Sequence, residues 1–210
     1  MNTLILLRHG QSQWNLENKF TGLKDVPLTS EGINEALNAG ELLQKNQIQI
    51  DMVFSSILLR ANRTAEIALN KDTFGHLWNN NKLIVTKHQS LNERDYGDLV
   101  GLNKKETAEK FGKEKVHLWR RSYEVNPPNG ESLKQVVERV TPYYEKEIKK
   151  ILLFEKKNVI VVAHGNSLRA IMISIGLYKP SEISSIEIPT GKPFCINFEN
   201  KKISKTFYLD

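Results

Sequence analysis

Two histidines in this sequence stand where ligand chemistry is expected. His9 comes just after the apolar run 4–7 and precedes a glycine, and His164 has the same setting after the run 159–163. Both runs have the composition of buried strands, and α/β sheets bind ligands beyond the carboxyl ends of their strands. A lone histidine is more often a solvated or core residue, but two His-Gly pairs at equivalent strand ends favour a functional role. The two histidines therefore predict a ligand-binding site at one edge of a sheet.

Arginines near the first histidine predict an anionic ligand. Arg8 directly precedes that histidine, and Arg60 and Arg63 belong to the second predicted strand–helix unit. The guanidinium group suits forked hydrogen bonding of phosphate oxygens, and Asn15 offers a further donor. Together these residue types predict that the site holds a phosphoryl group.

Other ligand classes find little support. No Gly-x-Gly pair occurs in the chain, so the dinucleotide-binding fingerprint is absent. The remaining histidines, at positions 76, 88 and 117, have unrelated polar contexts and are interpreted as solvated or structural. Cys195 lies in a strand pattern and is interpreted as a small core residue. Because zinc sites need three or four ligands, we predict no metal site.

The elements that must position these residues alternate between strands and helices. Strands are predicted over residues 3–8, 52–55, 83–86, 159–163 and 194–198. Helices are predicted after Thr29, over 58–70, over 103–111, from Ser132 onward and over 167–176. This order predicts an α/β fold, with a mostly parallel central sheet and helices on both faces. No linker is visible, so residues 1–210 are predicted to form a single domain.

Local signals refine two of the helices. Thr29 is expected to cap a helix with an apolar stripe of Ile33, Ala36, Leu37, Gly40 and Leu43. Ser132 and Gln135 form a capping-box pattern at the start of the long helix, which Pro142 is expected to kink.

Composition excludes several classes of protein. The chain has 210 residues, 40% of them hydrophobic, and a net charge of +6. No apolar run approaches the 18 or so residues of a membrane span, and the first residues lack the basic region of a signal peptide. A single cysteine cannot form an internal disulfide, so the cytoplasm is the expected compartment. The positive charge favours anionic partners, either nucleic acid or phosphorylated metabolites, or serves solubility alone.

Several segments together resemble the cofactor-dependent phosphoglycerate mutases of the histidine phosphatase superfamily. The RHG motif at the first histidine marks only the superfamily, whereas LNER…GLNK and WRR are more specific to the mutases. The matching segments extend over nearly the whole chain and are RHGQSQWN (8–15), FTG (20–22), RA (60–61), LNERDYGDLVGLNK (91–104), WRR (119–121), AHGNSLR (163–169) and IPTG (188–191).

The resemblance implies a role for each matching residue. His9 is implied to be the phosphorylated nucleophile and Glu93 the general acid/base. His164 is implied to stabilise the transferring phosphoryl group, which Arg8 and Arg60 hold. The other implied substrate-binding residues are Gly10, Gln11, Ser12, Gln13, Trp14, Asn15, Thr21, Gly22, Arg94, Asp95, Tyr96, Lys104, Arg120, Arg121, Gly165 and Asn166.

The implied activity is the interconversion of 3-phosphoglycerate and 2-phosphoglycerate in glycolysis and gluconeogenesis. The implied cofactor is 2,3-bisphosphoglycerate as phosphoryl primer, without a metal. The expected partner is a small phosphorylated glycerate, not a nucleic acid or a membrane, and the expected state is a homodimer or a higher homo-oligomer. The alternatives are a phosphatase of the same superfamily, with water as acceptor, and a basic nucleic-acid-binding domain suggested only by the charge.

Two departures from the mutase pattern concern the lid over the site. Longer mutases carry an insertion after the Pro-Pro pair, whereas here Pro128 is followed at once by Asn129. The sequence also stops at Asp210, without the C-terminal tail that closes the site in many relatives. Since a shorter lid excludes water less completely, the sequence leaves the balance between mutase and phosphatase activity open.

Overall fold

A six-stranded sheet forms the centre of the computed structural model, which describes residues 2–210; Met1, the first residue of the predicted domain, lies outside them. The strands are β1 (Asn2–Arg8), β2 (Met52–Ser55), β3 (Trp78–Asn79), β4 (Lys82–Leu83), β5 (Thr86–Lys87), β6 (Val159–Ala163), β7 (Phe194–Glu199) and β8 (Lys202–Tyr208). The central sheet has the order β5-β2-β6-β1-β7-β8, and β3 pairs with β4 in a separate hairpin. β5, β2, β6 and β1 are parallel, and β7 and β8 are antiparallel.

Helices cover both faces of this sheet. They are α1 (Gln13–Leu16), α2 (Ser30–Lys45), α3 (Leu59–Ala68), α4 (Lys104–Phe111), α5 (Lys113–Arg121), α6 (Leu133–Tyr143), α7 (Gly165–Ser174) and α8 (Pro180–Ile183). Helices α6 and α7 pack on one face, and α2 and α3 pack on the other. The predicted α/β class, mostly parallel sheet and two helical layers are confirmed.

The first strand separates two hydrophobic cores. Leu4 and Leu6 contribute to the core under α6 and α7, whereas Ile5 and Leu7 contribute to the core under α2 and α3. This division follows from the alternation of side chains along a strand. Every residue of β6 is buried, which is the pattern of a central parallel strand and matches the sequence prediction.

The two predicted helix caps are present. The Thr29 side chain accepts a hydrogen bond from the Gly32 N–H at the start of α2. Ser132 and Gln135 form the reciprocal capping box of α6. Each cap satisfies backbone donors of the first helical turn that would otherwise lack partners.

The predicted apolar stripe of α2 is wrong at two positions. Ile33 is 39% exposed and Leu37 is 46% exposed. The buried face is made instead of small residues and one leucine: Gly32, Ala36, Ala39, Gly40 and Leu43. A Cβ at Gly40 would lie 2.5 Å from the Ala68 carbonyl oxygen, so α2 packs very closely on α3. The small side chains on this face allow α2 to approach α3, and the larger side chains of α2 consequently face solvent.

The strand predicted over residues 83–86 is also wrong in its bounds. Leu83 belongs to the β3–β4 hairpin, whereas Thr86 begins the edge strand β5. Ile84 lies between the two strands and is 58% exposed. The short run 83–86 is therefore divided between the β3–β4 hairpin and the edge strand β5.

Pro142 changes the helical geometry of the chain without ending the helical path. It lies inside α6, and π-helical segments follow over Tyr144–Ile148 and Lys150–Phe154. Because proline has no N–H to donate, the regular hydrogen-bond ladder is interrupted there. The structure thus shows a change from α to π turns after Pro142, whereas the kink of the helix axis stays a prediction. No helix within residues 2–210 is long and apolar enough to cross a membrane.

Candidate active site

The sheet places the two predicted histidines side by side. β1 and β6 are parallel neighbours with Arg8 opposite Ala163, so the residue after each strand emerges at the same edge. The His9 N–H donates to the Ala163 carbonyl at 3.0 Å. The ring centroids of His9 and His164 lie 5.0 Å apart, with the ring planes at 59°. The predicted pairing of the two strand ends is confirmed.

The hydrogen bonds of His9 define which ring nitrogen is free for chemistry. Its Nδ1 lies 2.7 Å from the Gly10 carbonyl oxygen. A carbonyl oxygen only accepts, so Nδ1 carries the proton and Nε2 carries the lone pair. Arg60 Nε donates to this Nε2 at 3.3 Å. The buried imidazole is therefore neutral, with the unprotonated Nε2 facing Arg60.

The loop that carries His9 is held closely against α2. A Cβ at Gly10 would lie 2.1 Å from the Gly32 carbonyl oxygen, so a larger residue would displace the backbone. The Glu35 carboxylate accepts from the Gln11 N–H and from the Thr190 hydroxyl, each at 2.6 Å. Through Glu35, α2 fixes the loop after β1 and the loop before β7 relative to each other.

The structure separates the two arginines of α3 that the sequence predicted as phosphate donors. Arg60 is fully buried, and its terminal nitrogens donate to the carbonyls of Lys24 at 3.0 Å and Gly22 at 2.9 Å. These bonds fix the guanidinium beside His9. Arg63 lies on the outer face of the helix and pairs with Glu66 at 3.1 Å. The expectation that Arg63 contributes to the site is therefore wrong.

Glu93 is held as a carboxylate near the two histidines. Its Oε1 accepts from the Arg94 N–H at 2.8 Å and from the Asn166 side chain at 3.0 Å. Burial alone would raise the pKa of Glu93, but these donors and the charges of Arg60 and Arg8 lower it below its usual value. The group is ionised at neutral pH and can accept a proton.

Three of the predicted site residues carry buried polar atoms without protein partners. Arg8 Nε, Thr21 Oγ1 and His164 Nδ1 are buried and have no hydrogen-bond partner in the protein. Arg8 Nη1 donates to the Ile188 carbonyl at 2.7 Å, which orients the guanidinium. Buried polar groups rarely remain unsatisfied, and oxyanions are the acceptors that such donors prefer. These atoms fit the binding of a phosphoryl group.

The two neighbouring imidazoles give the ligand-free protein a predicted pH dependence. Burial, reinforced by the charges of Arg60 and Arg8, lowers the pKa of His9 and of His164 well below 6.5. Below about pH 6.5 the unfolded chain therefore binds protons that the folded protein does not. As the pH is lowered below this value, we expect the free energy of unfolding to fall by up to about 1.4 kcal/mol per pH unit for each histidine.

Urea unfolding between about pH 7.5 and 5.5 measures this slope, in a window above the titration of most carboxyls. The double variant His9→Asn/His164→Asn serves as the control and should show a flatter dependence. Equal slopes in the two proteins would show that the buried histidines are not held neutral.

A charged cavity of about 220 Å³ opens beside these groups. Five cationic side chains and only two carboxylates face it, so its field favours an anion with more than one charged group. Its lining residues are Arg8, Glu93, Tyr96, Lys104, Arg120, Arg121, Gly165, Asn166, Arg169 and Glu187.

The far wall of the cavity is built on α4, α5 and the segment before them. Arg94 is fully buried, stacks on the Tyr96 ring at 4.7 Å and donates to the Arg120 carbonyl at 3.0 Å. Lys104 Nζ lies 5.9 Å from the Phe20 ring, and burial lowers the pKa of this lysine. Basic groups are thus fixed away from His9 by aromatic neighbours.

Some predicted binding residues support the site from outside the cavity wall. Ser12 and Asn15 cap each other at the start of α1, and Gln11 receives the Thr29 hydroxyl. Three others make different contacts. The Gln13 side chain donates to Glu17, and Trp14 lies against Gly101 and Lys19. The Asp95 N–H donates to the Glu131 carboxylate, and the Asp95 carboxylate accepts from the Gly97 N–H.

Three residues beside the site were missed by the sequence reasoning. Arg169 lines the cavity from α7 and is anchored to the Ile186 carbonyl at 2.7 Å. Glu187 lies on the same wall and accepts from Arg121 at 2.7 Å. Ser56 contacts His164 and is the first residue after the predicted strand 52–55. Its position after a strand end is a signal that the sequence offered, whereas Glu187 had none.

Sequence similarity to known proteins shows the family of this chain. The family described as histidine phosphatase superfamily (branch 1) matches residues 4–209, and the chain belongs to that superfamily. It is 52% identical over 190 residues to a 2,3-bisphosphoglycerate-dependent phosphoglycerate mutase of Methylocella silvestris, covering 90% of this chain and 89% of the relative. A relative of the same name from Chlamydia pneumoniae is 43% identical, with 98% and 97% coverage. Within the superfamily, the chain is thus a member of the 2,3-bisphosphoglycerate-dependent phosphoglycerate mutase family.

The fold agrees with a solved structure as well. YhfR of Bacillus stearothermophilus superposes with a TM-score of 0.79 over 97% of this chain and 95% of that chain, at 24% identity.

Among residues 2–210, no group of three or more histidine, cysteine, aspartate or glutamate side chains is placed to hold a metal ion.

Proposed function

We propose that this protein interconverts 3-phosphoglycerate and 2-phosphoglycerate through a phosphohistidine at His9, primed by 2,3-bisphosphoglycerate. The observation that carries the proposal is a single cavity lined both by Arg8, which adjoins His9 of the histidine pair, and by a basic wall of Lys104, Arg120 and Arg121. A bisphosphorylated glycerate has two phosphates and a carboxylate, which require cations at both ends.

In the priming step, His9 acts as the nucleophile. Its Nε2 lone pair attacks the phosphorus of the donor, so that an N–P bond forms as the P–O bond to the glycerate breaks, and the leaving oxygen takes a proton from solvent through Glu93. The charge on the transferring group spreads over its equatorial oxygens, and catalysis depends on positioned donors. Arg8, Arg60 and the Nδ1 of His164 are the donors that the geometry offers to those oxygens.

Glu93 supplies the proton transfers. When the phosphoryl group passes from His9 to 3-phosphoglycerate, Glu93 accepts the proton of the attacking hydroxyl as the new P–O bond forms and the N–P bond to His9 breaks. After the bisphosphate turns round, Glu93 returns that proton to the leaving oxygen as His9 is phosphorylated again. The lowered pKa of Glu93 supports the first of these steps, because the resting carboxylate is ready to accept.

The basic wall would retain the bisphosphate while it turns. Arg121 is fixed by its hydrogen bond to Glu187 at 2.7 Å, and Lys104 and Arg120 face the same cavity. A phosphatase needs cations only around the group that it cleaves. Additional cations away from His9 therefore favour a mutase over a hydrolase.

Arg121→Ala is expected to lower mutase activity much more than hydrolysis of 2,3-bisphosphoglycerate. A hydrogen bond to a charged group contributes about 1.5–3 kcal/mol, so retention should weaken roughly 10- to 150-fold. Phosphorylation of His9 should persist because its own donors remain. Arg63→Ala is the matched control, since Arg63 also pairs with a glutamate but lies outside the cavity. A parallel loss of both activities would show that Arg121 does not retain the intermediate.

Phosphorus NMR tests the proposal as a whole. Incubation with 3-phosphoglycerate should produce 2-phosphoglycerate, faster when 2,3-bisphosphoglycerate is added. Release of mainly free phosphate would favour the phosphatase alternative. The absence of either product would overturn the proposed activity.

The proposal extends to the state of the protein. A single domain over residues 1–210 is supported by β1, which pairs with strands from the last third of the chain. We further propose that the protein is cytoplasmic, as its single cysteine favours, and that it forms a homodimer or larger homo-oligomer. Light scattering after size-exclusion chromatography measures that assembly.

A further inference from the structure

Ser56 lies beyond a third strand end, beside the two histidines. β2 is the parallel neighbour of β6, with Ser55 opposite Val162, so Ser56 emerges next to His164. Both Ser56 and His164 are fully buried. The Ser56 Oγ lies 2.8 Å from the Nε2 of His164. The serine hydroxyl therefore contacts Nε2, the ring nitrogen farther from Cβ.

The hydrogen bonds of Ser56 define the direction of this contact. The Ser56 Oγ already accepts from the backbone N–H of Leu58 at 3.2 Å. Among residues 2–210, His164 Nε2 is the one other hydrogen-bond partner of this hydroxyl. If Nε2 carried the imidazole proton, both the serine hydrogen and the Nδ1 lone pair would be buried without a partner. If Nδ1 carries it, the serine donates to Nε2 and only one polar group is left over. Since unsatisfied buried groups are costly, the second arrangement is favoured.

We propose that Ser56 is a positioning residue, which donates to Nε2 and so holds neutral His164 in the tautomer protonated at Nδ1. This inference rests on the proposed function, in which His164 donates to the transferring phosphoryl group. His164 Nδ1 is the buried ring atom without a protein partner. In the other tautomer, that atom would present a lone pair to phosphoryl oxygens and repel them.

The site thereby gives two neighbouring imidazoles opposite tasks with the same tautomer. The Gly10 carbonyl accepts from Nδ1 of His9 and leaves the Nε2 lone pair for attack. The Ser56 hydroxyl instead donates to Nε2 of His164 and leaves the Nδ1–H for hydrogen bonding. An acceptor at one ring and a donor at the other thus distinguish the nucleophile from the phosphoryl-binding group.

Nitrogen-15 NMR of the histidine side chains tests this directly in the ligand-free protein. The His164 signals are assigned by their loss in His164→Gln. We expect wild type to show His164 protonated at Nδ1 and Ser56→Ala to show a mixture or the Nε2 form. Ser55→Ala is the matched control, because Ser55 is equally buried but donates to the Val162 carbonyl at 2.9 Å. Wild-type His164 protonated at Nε2 would overturn the inference.

Kinetics then separate positioning from a general structural effect. We expect Ser56→Ala to lower kcat roughly 10-fold or more with KM within about threefold, and Ser55→Ala to stay within about threefold of wild type in both. Ser56→Thr, which keeps the hydroxyl, should restore the Nδ1 tautomer and most of kcat. A kcat for Ser56→Ala equal to that of the Ser55→Ala control would also overturn the inference. The tautomer is read without any substrate, so its outcome is distinct from a failure of the proposed mutase activity.

Discussion

Replacing His9 by alanine is expected to abolish the phosphoenzyme. Incubation of the wild-type protein with 2,3-bisphosphoglycerate should give a phosphoprotein that is labile in acid and stable in base. His9→Ala should give none, because the unprotonated Nε2 of the imidazole beside Arg60 is removed. Mutase turnover should fall on the order of 10⁴–10⁶-fold, as for the loss of other enzyme nucleophiles.

The control for this experiment is His117→Ala. His117 lies exposed on α5, away from the cavity, so the variant should be labelled as wild type. Peptide mapping of the wild-type protein locates the modified histidine. Labelling that persists in His9→Ala, or that maps to His164, would reassign the nucleophile.

Glu93→Gln should lower turnover by roughly 10²–10⁴-fold, the usual contribution of general acid/base catalysis. Glutamine keeps the shape of the side chain and can still accept from Arg94 N–H and Asn166, but it does not exchange a proton. Thermal unfolding of the variant checks that the fold is intact. Since the nucleophile remains, transfer to His9 should be slowed rather than lost.

Glu106→Gln on α4 makes the same chemical change at an exposed position and should leave turnover unchanged. Rapid-quench measurement of the phosphoenzyme then separates the chemical step from product release. Turnover of Glu93→Gln within a few-fold of wild type would remove Glu93 from the mechanism.

Much of the fold follows from local signals in the sequence. The run 159–163 is apolar on both faces, and this pattern has few solutions other than a central parallel strand. Thr29 and Ser132 mark helix starts because their side chains satisfy the first N–H groups. The meeting of His9 and His164 follows from strand direction alone once both are placed after parallel strands.

Other features depend on contacts that no local pattern encodes. α2 turns Leu37 outward because its small residues must approach α3, a condition set by a helix some twenty residues away. Strand β8 has mostly exposed residues at the sheet edge and lacks a clear hydrophobic period. Glu187 joins the cavity only through its pairing with Arg121, so the candidate site could be predicted at its centre but not along this wall.

The position of β1 in the sheet has a consequence for how the protein is made. β1 leaves the ribosome before the other strands of its sheet, yet both of its neighbours, β6 and β7, are encoded more than 150 residues later. At about 5–20 residues per second, this strand waits roughly 8–30 s before either neighbour has been synthesised. Its apolar residues 4–7 and both of its hydrogen-bonding edges stay open during that time. Nascent chains should therefore depend on chaperones that shield β1, and His9 and His164 should meet only late in translation.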